Sequence, residues 1–137
     1  MLAQLVAADA HLAHKARRLE AIPGVGAVVA LTVLAELPEL GHLTPQTAAA
    51  LAGVAPYNRD SGGLKGVRHI SGGRRAVRCA LYMATLSAVR HNRILKEIYL
   101  RLRANGKKPK VAMTAVMRKL IILMNRLLKY PNFQLAT

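Results

Sequence analysis

The sequence predicts an all-α fold, a compact helical domain with a Gly- and Arg-rich loop between two of its helices. In most of the chain apolar residues recur every three or four positions, which is the spacing of one face of a helix. Glycine and proline stand between these periodic segments, where they end helices. Strand-like residues are confined to Leu64–Ile70. At 137 residues, the chain has the length of one domain, which we place over residues 1–137.

Six segments have the apolar spacing of a helix. We expect them at residues 1–20, 27–37 and 45–52, from Gly73 to a break at His91, and at residues 93–103 and 111–128. Thr44 suits the N-cap of the third helix, with Pro45 at the first helical position and Gly53 after its end. Ser71 has the same N-cap position before the fourth helix, and capping is our preferred interpretation of this serine.

A hairpin joins the first two predicted helices. Its sequence is Pro23-Gly24-Val25-Gly26, and a hairpin with two glycines between helices is typical of a helix-hairpin-helix motif. Such a hairpin presents backbone N–H groups to a DNA phosphate. The alternative is a helix–helix turn without a ligand. Because residues 1–60 contain only four Lys or Arg against five Asp or Glu, a DNA contact here would depend on backbone dipoles.

The positive charge of the chain is concentrated in its second half. The net charge is +15, and residues 61–137 contain 17 Lys or Arg against Glu97 as the single carboxylate. This asymmetry indicates a nucleic acid or an anionic membrane as partner. No apolar run reaches the roughly 20 residues that span a bilayer, so we expect no membrane association. Few aromatic residues are available to stack on unpaired bases, which favours duplex DNA or structured RNA held through its backbone.

Cysteine and histidine usage argues against disulfide and metal chemistry. The only cysteine, Cys79, excludes an internal disulfide and fits a reducing cytoplasm. Five scattered histidines and one cysteine give no zinc-ligand spacing. Because Cys79 lies in an apolar helical pattern, we predict that it serves packing and is not a nucleophile. We expect no cofactor and no metal in this domain.

The Gly- and Arg-rich loop, residues 58–73, is the main candidate site. It contains two Ser-Gly-Gly triplets, at 61–63 and 71–73. Glycine lets the backbone approach a ligand closely, and the arginine fork matches phosphate oxygens. The basic residues in and just after the loop are Arg59, Lys65, Arg68, Arg74, Arg75 and Arg78. The last three lie at the start of a helix, where positive charge is unfavourable, so their presence indicates an anion site. A solvated turn with incidental charges is the alternative.

Five short motifs follow one another along the chain. They are IPGVG at 22–26, LAGVAPYNRDSGG at 51–63, ISGGR at 70–74, RCALYMA at 78–84 and RHN at 90–92. As a linked series they resemble the carboxy-terminal transposase domain of the IS110/IS116/IS902-type insertion-sequence transposases, a family related to the Piv-type DNA invertases. The resemblance extends from Leu19 to Leu128.

The resemblance implies a recombinase of two parts. An amino-terminal RuvC-like domain binds divalent metal through four acidic residues, and the helical domain carries a serine. A structured guide RNA takes part in the choice of target and donor DNA, so DNA and this RNA are the implied partners. The RuvC-like domain is not in this sequence, and Mg²⁺ is expected only in that other half. We therefore expect this domain to be inactive in recombination by itself.

The resemblance also implies roles for residues of the loop. The family's serine corresponds to Ser61, and Ser71 is the alternative. The serine Oγ would attack a DNA phosphodiester and leave a phosphoserine link to one strand end. The arginines expected to stabilise charge on phosphorus are Arg59, Arg68, Arg74, Arg75 and Arg78. The general base stays open between Lys65, His69 and the metal of the other half.

A non-catalytic helix-hairpin-helix module that binds DNA or RNA is the alternative function. Both functions predict salt-sensitive binding, because each neutralised phosphate releases counterions. Only the transposase requires the hydroxyl of Ser61. A tyrosine recombinase acting through Tyr82 or Tyr57 lacks a matching set of His and Arg. The last helix, 111–128, is apolar on one side, which also predicts a homo-oligomer, and we expect its Arg118 to face solvent or phosphate.

Overall fold

The computed structural model describes residues 2–56 and 74–135, with side chains described from Asp9 onward. The helices in these ranges are α1 (Leu2–Glu20), α2 (Ala27–Glu36), α3 (Pro45–Leu51), α4 (Arg75–His91), α5 (Arg93–Ala104) and α6 (Pro109–Lys129). No strand occurs within these two ranges, and the prediction of an all-α fold is confirmed. The strand-like stretch Leu64–Ile70 lies outside the described residues.

Helices α4 and α6 form the centre of the fold. Helix α4 packs against α2, α5 and α6, while α6 also packs against α1, α3 and α5. The largest fully buried side chains include Leu19, Ile22, Leu37, Leu40, Leu81, Leu120, Ile121 and Met124. Burial of each such side chain contributes about 1.5–3 kcal/mol to folding. The core around α4 and α6 is therefore built from residues of both halves of the sequence.

Most helix boundaries follow from local caps. At the start of α3, Thr44 Oγ1 accepts a hydrogen bond from Thr47 N at 3.1 Å. Gly53 follows this helix with a φ of +75°, which only glycine adopts without strain. Asn92 separates α4 from α5, and its Oδ1 accepts from Leu95 N at 3.2 Å. The predicted cap at Thr44, the glycine after α3 and the break after His91 are confirmed.

Helix α4 begins two residues later than predicted. It begins at Arg75, and the N-cap position belongs to Arg74, which has an extended backbone with φ −102° and ψ 113°. Arg74 N donates to Leu51 O at 2.7 Å, and this bond to the end of α3 holds Arg74 outside the helix. The expected start at Gly73 with Ser71 as its N-cap is therefore wrong, although Ser71 itself lies outside the described residues.

Helix α6 begins at Pro109, two residues before the predicted start at Val111. Proline suits the first helical position because its fixed φ is helical and no amide there needs a partner. Within α6, Arg118 is half-buried, and its Nε donates to Val54 O at 2.8 Å. Burial lowers the pKa of this guanidinium from its ordinary value. The backbone before the loop therefore holds one edge of the guanidinium through Nε, and a contact of Arg118 with phosphate stays a prediction.

Candidate nucleic-acid interface

The hairpin between α1 and α2 is held on one side by the junction of α4 and α5. Its Val25 is buried, and Asn92 Nδ2 donates to Pro23 O at 3.1 Å. Gly24 has a φ of +104°, and a Cβ at this position would lie 2.6 Å from Ala88 Cα. The backbone of the hairpin can approach α4 this closely only because residue 24 is glycine.

The other side of the hairpin is open. Gly26 is the N-cap of α2, and a Cβ built on it would meet no atom within 4 Å. The first N–H groups of a helix have no intrahelical partner, and Gly26 has no side chain to cap them. Val28, in the same turn, is 79% exposed, and α2 contains no basic residue. The backbone on this side of the hairpin is exposed, and its contact with DNA stays a prediction.

The three predicted arginines at the start of α4 have different surroundings. Arg74 forms a two-pronged ion pair in which Nη1 lies 2.7 Å from Glu39 Oε1 and Nη2 lies 2.5 Å from Glu39 Oε2. Its Nη1 also donates to Glu36 O at 3.0 Å. Arg75 is exposed, whereas Arg78 lines a groove between α4 and α6. A phosphate would have to displace a carboxylate to reach Arg74, and the phosphate role predicted for all three stays a prediction.

The ion pair also gives the fold a defined acid sensitivity. Its hydrogen bonds from Arg74 are the main cause that lowers the pKa of Glu39 from 4.5 to about 2. Because this folded-state pKa lies below the ordinary value, the pair stabilises the fold fully above about pH 4.5 and loses this effect as the pH falls towards 2. Both side chains are more than a third exposed, so salt screens the pair and its contribution is modest.

We expect Glu39→Gln to lower the thermal midpoint near pH 7 and to flatten the stability loss that wild type shows between about pH 4.5 and 2. Melting followed by circular dichroism across this pH window measures both effects. The matched control is Glu20→Gln, which removes an exposed carboxylate from α1. Identical pH profiles for wild type and Glu39→Gln would contradict the role of the pair.

Two backbone contacts fix the ends of the Gly- and Arg-rich loop. Arg118 holds Val54 O before the loop, and the bond from Arg74 N to Leu51 O closes it on the other side. The chain therefore leaves and re-enters the described fold at neighbouring points beside α3. The predicted residues Arg59, Ser61, Lys65, Arg68, His69 and Ser71 lie outside the described residues. The structure thus defines the two flanks of this loop, and the sequence did not indicate either contact.

A groove runs along the exposed side of α4, where it faces α5 and α6. Its lining includes Cys79, Tyr82 and Met83 from α4 and Met113 from α6. Cys79 is exposed, so the prediction that it serves packing is wrong. The buried stripe of α4 passes through Val77, Ala80, Leu81, Ala84 and Ala88, which leaves residue 79 on another side of the helix.

The strongest charge in the described part of the chain lies on and around α5. The basic residues from 90 to 110 are all exposed: Arg90, Arg93, Lys96, Arg101, Arg103, Lys107, Lys108 and Lys110. Glu97 is the one acidic residue in this range, and it lies 3.5 Å from the Nε of Arg93. Arg103 Nη1 donates to Lys107 O at 2.7 Å, which braces the turn before α6. This surface is suited to phosphate groups.

The described residues contain neither a metal-ligand cluster nor a membrane-spanning helix. In residues 2–56 and 74–135, no group of three His, Cys, Asp or Glu is placed to hold a metal ion. Across the same ranges, no helix combines the length and the apolar character needed to cross a membrane.

Comparison with known families gives a match to the larger part of the chain. A family model described as "Transposase IS116/IS110/IS902 family" matches residues 16–100. The matched span includes the hairpin, both flanks of the Gly- and Arg-rich loop and most of α5. No curated protein and no solved structure matches the chain.

Proposed function

This chain belongs to the IS116/IS110/IS902 family of transposases, and from that premise we propose that it binds DNA and supplies the nucleophile for strand cleavage through Ser61. The family match carries the proposal, because it includes Ser61, Ser71 and the arginines around them. It also makes DNA the expected partner of the domain. A structured guide RNA and a homo-oligomer belong to the same proposal.

The proposed reaction exchanges one phosphodiester for another. Ser61 Oγ attacks the phosphorus, the bond to one strand end breaks, and that end leaves with a proton as a free hydroxyl. The serine proton passes to a base, for which Lys65 and His69 are candidates. Attack by a hydroxyl of another strand end on the phosphoserine rejoins DNA and restores the serine. No net hydrolysis occurs, so the bond energy is conserved for rejoining.

The structural support for this proposal is that both flanks of the Gly- and Arg-rich loop are held by the folded domain. Val54 is held by Arg118, and Arg74 is held by Leu51 and Glu39, so residues on both sides of the loop have fixed positions. A nucleophile reacts faster when the protein holds it in the right position and orientation relative to the phosphorus. The arginines proposed to stabilise the charge on phosphorus are Arg59, Arg68, Arg74, Arg75 and Arg78. Mg²⁺ belongs, in this proposal, to the RuvC-like amino-terminal half and not to this domain.

Covalent trapping tests the proposal. The full-length protein, in which this domain is joined to its RuvC-like half, is incubated with guide RNA and DNA carrying a bridging phosphorothiolate at the cleavage position. The thiolate leaves readily and rejoins poorly, so a phosphoserine adduct accumulates. We expect Ser61→Ala to reduce the adduct by about 10³-fold or more while DNA affinity stays the same. Denaturing gels and adduct mass measure the amount of adduct. Anisotropy of labelled DNA measures the DNA affinity.

Ser71→Ala is the matched control and should keep the adduct. Loss of the adduct only in Ser71→Ala would keep the function and move the nucleophile. Absence of the adduct in every form, with DNA binding intact, would contradict the proposed chemistry.

The second candidate is a non-catalytic helix-hairpin-helix module for DNA or RNA. The open first turn of α2 favours it, because the exposed N–H groups after Gly26 need no serine to hold a phosphate. The basic surface around α5 would add affinity in the same way. This module accounts for binding but gives no reason for Ser61, which is why the trapping experiment separates the two candidates.

A further inference from the structure

The groove beside α4 consists of two adjoining depressions. One has a volume of about 620 Å³ and the other about 610 Å³, and the linings share Tyr82, Met83 and Met113. Cys79 and Met117 also line the first depression. The second depression adds Tyr99 from α5. Two of the four tyrosines in the chain, Tyr82 and Tyr99, therefore line the second depression.

The apolar lining is open to solvent. Tyr82 is 47% exposed and Met83 is 60% exposed, and Leu86 lies one turn further along the same helix. An exposed apolar surface of this kind, bordered by polar residues, marks a place where something binds. The aromatic ring and the adaptable thioethers offer a flat, polarisable contact surface.

Cations stand at both ends of the groove. Lys110 and Arg78 line one depression, and Arg90 lines the other. The helical rise places Arg78 and Arg90 about 18 Å apart along α4. That distance corresponds to about five nucleotides of a stacked strand. No Asp or Glu is found among the described residues that line either depression.

We propose that this groove binds an unpaired segment of a nucleic-acid strand, with its bases against Tyr82 and the methionines and its phosphates near Lys110 and Arg90. A duplex turns its base faces inward and would leave the apolar lining without a partner. Unpaired bases present faces that stack on aromatic rings, while their phosphates need cations. The inference rests on the proposed function only in taking nucleic acid as the ligand, and it is independent of Ser61.

An unpaired strand is not the partner that the composition indicated. The small number of aromatic residues favoured a duplex partner. The fold, however, brings Tyr82 and Tyr99 from different helices to the same groove. Composition could not show this, because only the packing of α4 against α5 brings the two tyrosines to the lining of one depression.

Binding of a single-stranded DNA of roughly 12 nucleotides tests the proposal, with fluorescence anisotropy as the measurement. Salt of about 0.2 M suppresses the purely electrostatic part of the affinity. We expect Tyr82→Ala to weaken binding about tenfold and Tyr82→Phe to keep it within about twofold. The control is Tyr130→Ala, which removes a tyrosine of similar exposure, 52%, at the far end of α6. Circular dichroism shows whether each variant keeps its helices.

Cys79 provides a second, independent measurement. It is the only cysteine of the chain and it lines the groove, so a maleimide reports on this surface alone. We expect the single strand to slow labelling of Cys79 at least fivefold, and the same sequence as a duplex to slow it much less. Parallel measurements with RNA of the same sequence tell which strand the groove prefers, and protection by either one supports the proposal.

Two results would overturn the inference. One is equal loss of affinity in Tyr82→Ala and Tyr130→Ala, and the other is unchanged labelling of Cys79 when bound strands saturate the protein. Protection of Cys79 by an acidic peptide but by no nucleic acid would likewise replace the strand with a protein partner. Ser61→Ala should keep both binding and protection. The trapping experiment thus tests Ser61 as the nucleophile, and the binding and labelling experiments separately test strand binding in the groove.

Discussion

Asn125→Ala is expected to destabilise the fold by about 3 kcal/mol, which is a large fraction of the stability of a domain of this size. Asn125 lies in α6 and is 3% exposed, and its side chain forms hydrogen bonds with the backbone of the turn that precedes α3. Its Oδ1 accepts from Gly41 N at 2.7 Å and from Leu43 N at 3.3 Å, and its Nδ2 donates to Leu43 O at 2.7 Å. Alanine would leave these buried or partly buried backbone groups without their side-chain partner.

Urea unfolding followed by circular dichroism measures this effect as a shift of the midpoint. The matched control is Asn132→Ala, because Asn132 is an exposed asparagine after α6. We expect less than about 0.5 kcal/mol for that control. A loss below about 1 kcal/mol for Asn125→Ala would mean that the turn finds other hydrogen-bond partners, and the role given to Asn125 would be wrong.

Gly24→Ala is expected to cost about 2–5 kcal/mol, through two separate effects. The backbone at Gly24 has a φ of +104°, which an L-residue with a side chain adopts only with strain. The added Cβ would also lie 2.6 Å from Ala88 Cα and 2.8 Å from Ala88 N. These are backbone atoms of a central helix, so the hairpin would have to move away from α4.

Gly26→Ala is the control for this substitution. Residue 26 has a φ of −95°, and the added Cβ would meet no atom within 4 Å. We expect a change in stability below about 0.5 kcal/mol. Thermal and urea unfolding of both variants give the comparison, and similar losses at the two glycines would contradict the packing argument. The same Gly26→Ala protein, since it stays folded, also reports whether a side chain at the open hairpin impairs DNA binding.

The features that the sequence predicted well are local ones. Thr44 and Gly53 mark the two ends of α3 through contacts within a few residues, and Asn92 interrupts the helical spacing at a visible place. Side chains and backbone close together in sequence determine such caps. The helices of the all-α fold could therefore be placed to within about two residues in most cases.

The features that escaped prediction depend on contacts distant in sequence. Glu39 and Arg74 pair across 35 positions, and Asn125 serves Gly41 across 84. No periodicity or cap signal indicates such partners. The hairpin is a mixed case, because its two glycines have different functions. Gly24 permits close packing on α4, and only Gly26 belongs to the open side that the motif predicted.

Because both flanks of the Gly- and Arg-rich loop are held by the folded domain, the length of this loop can vary between relatives. Arg118, Leu51 and Glu39 hold both flanks of the loop through residues of the folded domain. Because the two flanks are already together, the closure entropy of a longer loop is small, about 0.6 kcal/mol for each doubling of length. Length and sequence between the two flanks can thus change over evolution at little cost to folding. We therefore expect that a loop transplanted from a relative between the same two flanks leaves the helical domain folded.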